Sequence, residues 1–136
     1  MQLEISKEEL NQLPIFRYSG KIQILSGKKA AEGIKKQLIH EPVLGVDTET
    51  KPVFKKGGFH PVALLQIATR KSVFIFRLQK TGIPSYLVDL LEDPEIIKAG
   101  IDLGRDIQEL GQYAEINAKS VIDLNNMAKE LGFISV

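Results

Sequence analysis

The chain alternates between short runs with a two-residue hydrophobic period and longer runs with a helical one. Ser6, followed three residues later by Glu9, is a capping box; it predicts a short helix to Leu13 that Pro14 ends. Lys21–Leu25 (KIQIL) alternates apolar and polar residues, as a half-buried strand does. Ala30, Ile34 and Leu38 fall on one face of a helix ending near His40. Val43–Thr48 (VLGVDT) is an apolar run closing on polar groups, the pattern of a central strand. Two further strands, Ala63–Thr69 (ALLQIAT) and Ser72–Arg77 (SVFIFR), are linked only by Arg70 and Lys71. So short a link forces an antiparallel hairpin. A helix over Ser85–Leu91, a strand over Ile96–Ile101 and a helix over Leu103–Tyr113 follow. A strand at Lys119–Ile122 then leads to a last helix, from Asp123 toward Leu131. Lys51–Pro61, rich in Pro, Gly and Lys, reads as an exposed loop, and Thr81–Pro84 as a turn into a helix. This alternation predicts an α/β fold: a mixed sheet with an antiparallel edge and flanking helices.

Composition narrows the picture. At 136 residues the chain suits a single domain, 1–136, with 43% hydrophobic and 26% charged residues. Those proportions argue against disorder and membrane spanning. With no cysteine, zinc fingers, thiol catalysis and disulfide scaffolds are excluded. His40 and His60 are too few and too far apart for a histidine metal site. The net charge of +1 favours no class of partner. The first residues, MQLEISKEEL, carry charges where a signal peptide has its apolar stretch, so a soluble cytoplasmic protein is expected.

The chemistry concentrates at Val46-Asp47-Thr48-Glu49. On a strand, Asp47 and Glu49 project to the same side and Thr48 to the other. Two carboxylates side by side repel unless a cation or a shared proton neutralises them. Hard oxygen donors of this kind suit Mg²⁺ or Mn²⁺. Taken alone, Asp-x-Glu is also simply how a strand ends and a turn begins. Further along, Lys98-Ala-Gly-Ile-Asp-Leu-Gly-Arg-Asp106 runs from a strand into a helix and offers two more carboxylates. Asp102 sits at the strand-to-helix turn, where an aspartate serves as an N-cap. Asp106 lies a helical turn further, four residues before Leu110. Asp123, in Asp-Leu-Asn-Asn, has the composition of a helix cap.

In this order and spacing the chain resembles the DEDD superfamily of 3′–5′ exonucleases, in particular its ribonuclease D and Werner-type branch. Asp47 and Glu49 match the family's first motif, Ala63–Thr69 its A-L-L-Q-[IL]-A-T-like strand, and Asp106 its second motif. The resemblance spans about Lys21 to Leu131. It implies a ribonuclease H-like fold and hydrolysis of nucleic acid, DNA or RNA, from the 3′ end. Two Mg²⁺ or Mn²⁺ ions about 4 Å apart would grip the scissile phosphate. Asp47 would bridge both ions, Glu49 hold the nucleophile-side ion and Asp106 the other. Lys51, Lys55 and Lys56 flank this site and, with Thr48 and Arg105, are assigned to nucleic-acid contact. A solvated surface is the plain alternative for the lysines and Arg105. Phe54 and Phe59 suit either stacking on a terminal base or core packing.

One part of the pattern is missing. The family's third motif, Tyr- or His-x-x-x-Asp, has no match after Asp106; Tyr113 is followed at the corresponding place by Asn117. The resemblance therefore implies a C-terminally truncated domain with an incomplete metal cage and little or no activity. It also implies exposed apolar surface near Ile122, Leu124, Met127, Leu131 and Phe133, and with it self-association. Two rival readings remain open: a non-catalytic nucleic-acid-binding module on the same scaffold, and an unrelated α/β domain.

Overall fold

The computed structural model describes residues 4–51, 54–58 and 60–133. In chain order the elements are α1 (Lys7–Gln12), β1 (Lys21–Leu25), α2 (Lys28–Gly33), α3 (Lys35–Leu38), β2 (Val43–Thr50) and β3 (Val62–Ala68). There follow β4 (Ser72–Arg77), α4 (Leu78–Thr81), α5 (Ser85–Glu92), β5 (Ile97–Gly100), α6 (Leu103–Leu110), β6 (Val121–Asp123) and α7 (Leu124–Glu130). The six strands form one mixed sheet in the order β1-β4-β3-β2-β5-β6.

The β3–β4 hairpin is antiparallel, as its short link requires. Thr69 Oγ1 closes it by accepting from the Lys71 and Ser72 amides at 3.2 and 3.1 Å. The hairpin is not at an edge, however. The antiparallel pairs β4–β3 and β3–β2 form the centre, and parallel pairs β1–β4, β2–β5 and β5–β6 flank them. Link length dictates the direction of a hairpin but not where the remaining strands dock.

One face of the sheet is covered by helices and the other is open. Leu44 and Val46 of β2, Leu65 and Ile67 of β3, and Phe74 and Phe76 of β4 are buried on the covered face. Leu87, Leu90 and Leu91 of α5 and Leu103 and Leu110 of α6 belong to the same core. Register decides the side of β1: Leu25 pairs with Phe76 and Gln23 with Phe74, so Ile22 and Ile24 turn to the open face. They are 54% and 62% exposed, the reverse of what KIQIL suggests by itself.

Local chemistry explains most element ends. Ser6 and Glu9 form the capping box of α1: the Ser6 amide donates to Glu9 Oε2 at 2.8 Å, and the Glu9 amide to Ser6 Oγ at 3.1 Å. Asp123 caps α7, accepting from the Asn125 amide at 2.9 Å. The helix expected across Ala30–Leu38 is broken at Ile34, and its buried stripe is Ala31, Ile34 and Leu38. That spacing of three then four follows the helical period, which a strict four-residue step overruns. The short α4, with Leu78 and Thr81 buried, has too few residues to show a period and was not legible in the sequence. Among the described residues, no helix is long and apolar enough to cross a membrane.

Candidate active site

β2 and β5 run parallel, and their close approach shapes the site. A methyl group at Gly100 would come within 2.5 Å of the Val46 carbonyl oxygen, so only glycine lets β5 lie so near the residue preceding Asp47. On the other side of β2, the register with β3 shifts between Glu49 and Thr50: Glu49 pairs with Leu64 and Thr50 with Val62. Irregularities of this kind re-aim side chains at strand ends. Here the shift falls at the end of β2 that bears the two carboxylates.

Asp47 and Glu49 are exposed, and Thr48 between them is half-buried, as the two-residue period of the strand demands. Asp106 lies on the stripe of α6 that carries the buried Leu103 and Leu110, so its side chain turns toward the sheet. There the Thr48 hydroxyl donates to Asp106 Oδ1 at 2.7 Å. The other oxygen, Asp106 Oδ2, is buried and has no hydrogen-bond partner. A carboxylate oxygen stranded in this way is costly unless a proton or a cation meets it.

Electrostatics agree with the geometry. Burial raises the Asp106 carboxyl above its ordinary value. The charges of Asp47, Glu109 and Asp102 push in the same direction, while the Thr48 hydrogen bond opposes them. The Asp47 charge therefore reaches Asp106, although α6 brings Asp106 to β2 on the Thr48 side and Asp47 leaves the strand on the other. A raised carboxyl stabilises the fold below the unfolded value of 3.8 and loses that contribution as pH rises through the folded value. In metal-free protein, ionising Asp106 thus costs stability. Asp106→Asn is expected to raise the melting temperature at pH 7, with the advantage shrinking as pH falls toward 4. An advantage that persists unchanged in acid would show that charge is not its origin.

The remaining candidates divide. Asp102 occupies the N-cap position of α6 but adopts a left-handed conformation, φ 54°, and its side chain makes no cap bond. The expected capping role is therefore not fulfilled. Arg105 is 73% exposed and pairs with Glu109 at 3.3 Å. Lys51, Lys55 and Lys56 are exposed in the loop after β2. Phe54 is 95% exposed, which removes core packing as its role; Phe59 lies outside the described residues. Gln66, opposite Asp47 in the β2–β3 ladder, is half-buried. It lines an open, mainly apolar groove of about 320 Å³ together with Asp47, Ala68, Ala99, Gly100 and Leu124. Tyr113 is committed elsewhere, its hydroxyl donating to the Val62 carbonyl at 2.6 Å. Among the described residues, no three His, Asp or Glu side chains are gathered tightly enough to hold one ion by themselves.

Two features of the site went unread in the sequence. One is the bond from Thr48 to Asp106, which joins residues 58 apart in the chain. The other is Lys98, fully buried two residues before Gly100. Its Nζ donates to the Leu90 and Asp93 carbonyls at 3.2 and 2.7 Å, tying β5 to the end of α5. A lysine inside the apolar run Ile96–Ile101 was the available signal.

Comparison with known proteins identifies the family and the fold. A family model described as 3′-5′ exonuclease matches residues 22–135. A 3′-5′ exonuclease of Arabidopsis thaliana is 29% identical over 140 residues, covering 93% of this chain and 48% of its own length. The human exonuclease mut-7 homolog is 32% identical over 122 residues, covering 82% of this chain and 14% of its own. Among solved structures, the EXD2 exonuclease domain soaked in Mg and GMP superposes with a TM-score of 0.70 at 27% identity, covering 82% of this chain and 60% of that one. The chain thus spans about half of the Arabidopsis relative and a smaller part of the human one. Its mixed sheet with flanking helices is the ribonuclease H-like fold of these nucleic-acid-degrading domains. The chain belongs to the DEDD-type 3′–5′ exonuclease family.

Proposed function

We propose that Asp47, Glu49 and Asp106 are the metal-holding carboxylates of a centre that hydrolyses nucleic acid from its 3′ end. The observation that carries this reading is Asp106 Oδ2, buried without a partner and within the field of Asp47. An oxygen in that state fits a hard divalent cation, and crystal structures of the EXD2 exonuclease domain have been determined soaked in Mg with GMP and soaked in Mn. When bound, such cations supply charge stabilisation at the scissile phosphate and an acidified water. The chain's own residues do the rest. Asp47 and Glu49 present negative charge at the exposed strand end, Asp106 presents its free oxygen from α6, and Lys55 and Lys56 offer phosphate contacts from the neighbouring loop.

No Tyr- or His-x-x-x-Asp follows Asp106 in these 136 residues, so no side chain here fills the family's third-motif position. Hydrolysis by this chain alone should accordingly be slow. The test is Mn²⁺-dependent shortening of single-stranded DNA and RNA carrying the label at either end. Release of label from the 3′ end first, abolished by chelation, supports the reading. Retarded migration of the nucleic acid with no hydrolysis at high protein concentration would favour a binding module instead.

Self-association belongs to the same reading. Leu124, Met127, Leu131 and Phe133 are exposed near the end of the chain, whereas Ile122, expected with them, is half-buried; Ile22 and Ile24 are exposed separately, on the strand at the other edge of the sheet. Exposed apolar side chains grouped as on α7 favour a partner. Sedimentation over a range of concentrations should show a dimer or larger species. A monomer throughout would remove this expectation without touching the site.

A further inference from the structure

We infer that Thr48, the middle residue of the Asp-x-Glu motif, is a positioning residue that orients Asp106 for metal binding. The inference rests on the proposed role of Asp47, Glu49 and Asp106 and adds to it the element that holds them in relation. Thr48 points away from its two neighbours and so cannot share their ligand face. Its hydroxyl instead reaches α6 and donates to Asp106 Oδ1 at 2.7 Å. This single bond has two consequences. It occupies one carboxylate oxygen, so the unpartnered Oδ2 is the one left for a cation. It also ties α6 to the strand bearing Asp47 and Glu49, which are separated from Asp106 by more than fifty residues of chain.

Threonine suits the position physically. Its β-branched side chain packs well in a strand and has restricted χ1 freedom, so the hydroxyl is aimed before Asp106 arrives. Thr48 is half-buried, and its hydroxyl proton is already committed to Asp106. Partners that orient a metal ligand in this manner are worth roughly 10- to 100-fold in metal affinity.

The experiment titrates Mn²⁺ against the folded 136-residue chain, reading the dissociation constant from the metal-induced rise in melting temperature. Four proteins are compared: wild type, Thr48→Val, Thr48→Ser and Asp47→Ala. Valine keeps the shape and removes the donor; serine keeps the donor and removes the methyl. The expected result is weakening by about 10-fold or more in Thr48→Val, with Thr48→Ser close to wild type. Metal-free melting curves verify that each variant is folded, and serine rescue separates the hydroxyl from packing. Wild-type affinity in Thr48→Val, with binding lost in Asp47→Ala, would overturn the role of Thr48 and leave the metal site standing. Equal weakening in the valine and serine variants would also overturn it, because the hydroxyl would not be the cause. An equal Mn²⁺ effect in wild type and Asp47→Ala would overturn the metal site itself, and the role of Thr48 with it.

Discussion

Asp47→Asn should lower Mn²⁺-dependent hydrolysis at the 3′ end by roughly 100- to 1,000-fold, the usual loss when one electrostatic contributor to a transition state is removed. Asparagine preserves the size of the side chain and the backbone pairing with Gln66, so strand β2 should stay in register. What disappears is one negative charge beside Glu49. Metal-induced stabilisation should disappear too. A ligand at about 100 times its dissociation constant adds roughly 2.7 kcal/mol to a folded protein, and an incomplete cage reaches that value only at higher metal concentration. The metal-free variant should melt no lower than wild type, because the Asp47 charge is one of those that disfavour ionised Asp106. Hydrolysis and metal-induced stabilisation should therefore fall together while metal-free stability holds. If activity survives in Asp47→Asn, the strand-end carboxylates are not the reactive centre.

The second large effect concerns Lys98. Its ammonium is fully buried and donates to two carbonyls at the C-terminal end of α5, where the helix dipole favours positive charge. Lys98→Met retains most of the side-chain volume but removes both charge-assisted bonds. Each such bond is worth about 1.5–3 kcal/mol, and relief of the ammonium's desolvation offsets part of the loss. A net destabilisation of about 2 kcal/mol is expected. Its pH dependence separates the bonds, which hold at any pH, from the cost of burying the charge. Burial lowers the Lys98 pKa from its ordinary 10.5, with the Asp93 charge opposing. Between the lowered value and 10.5 the unfolded chain binds more protons than the folded one, so this group makes the wild type more stable as pH rises. The gap between wild type and Lys98→Met should therefore widen toward pH 10.5 and stay flat below the lowered value. Melting temperatures of both proteins from neutral to alkaline pH decide the matter. A gap that narrows would mean the fold favours the ammonium over the free amine.

Because Lys98 anchors β5 beneath α5, and Gly100 then brings β5 against the Val46 carbonyl, the two residues together set the path of the chain into α6. The position of Asp106 thus depends on groups that bear no metal. A reduced metal affinity in Lys98→Met would be the corresponding long-range effect, distinct from the local one at Thr48.

Features that depend on neighbouring residues were legible in the sequence. The Ser6–Glu9 capping box, the Asp123 cap and the Arg70-Lys71 hairpin link each join atoms a few residues apart, and their geometry follows from backbone dimensions alone. The two-residue period of β2 likewise settles that Asp47 and Glu49 share a side that Thr48 does not. Features that depend on which surfaces meet were not legible. KIQIL by itself turns Ile22 and Ile24 inward; pairing with Phe74 and Phe76 turns them outward. The hairpin's direction followed from its link, while its central place in the sheet came from strands docking on both sides. Sequence order and motif spacing named Asp106 as a candidate, but its tie to Thr48 and its stranded oxygen exist only once α6 packs across β2. Periodicity is a property of the chain by itself, whereas burial, register and the partner of a carboxylate are properties of two surfaces in contact.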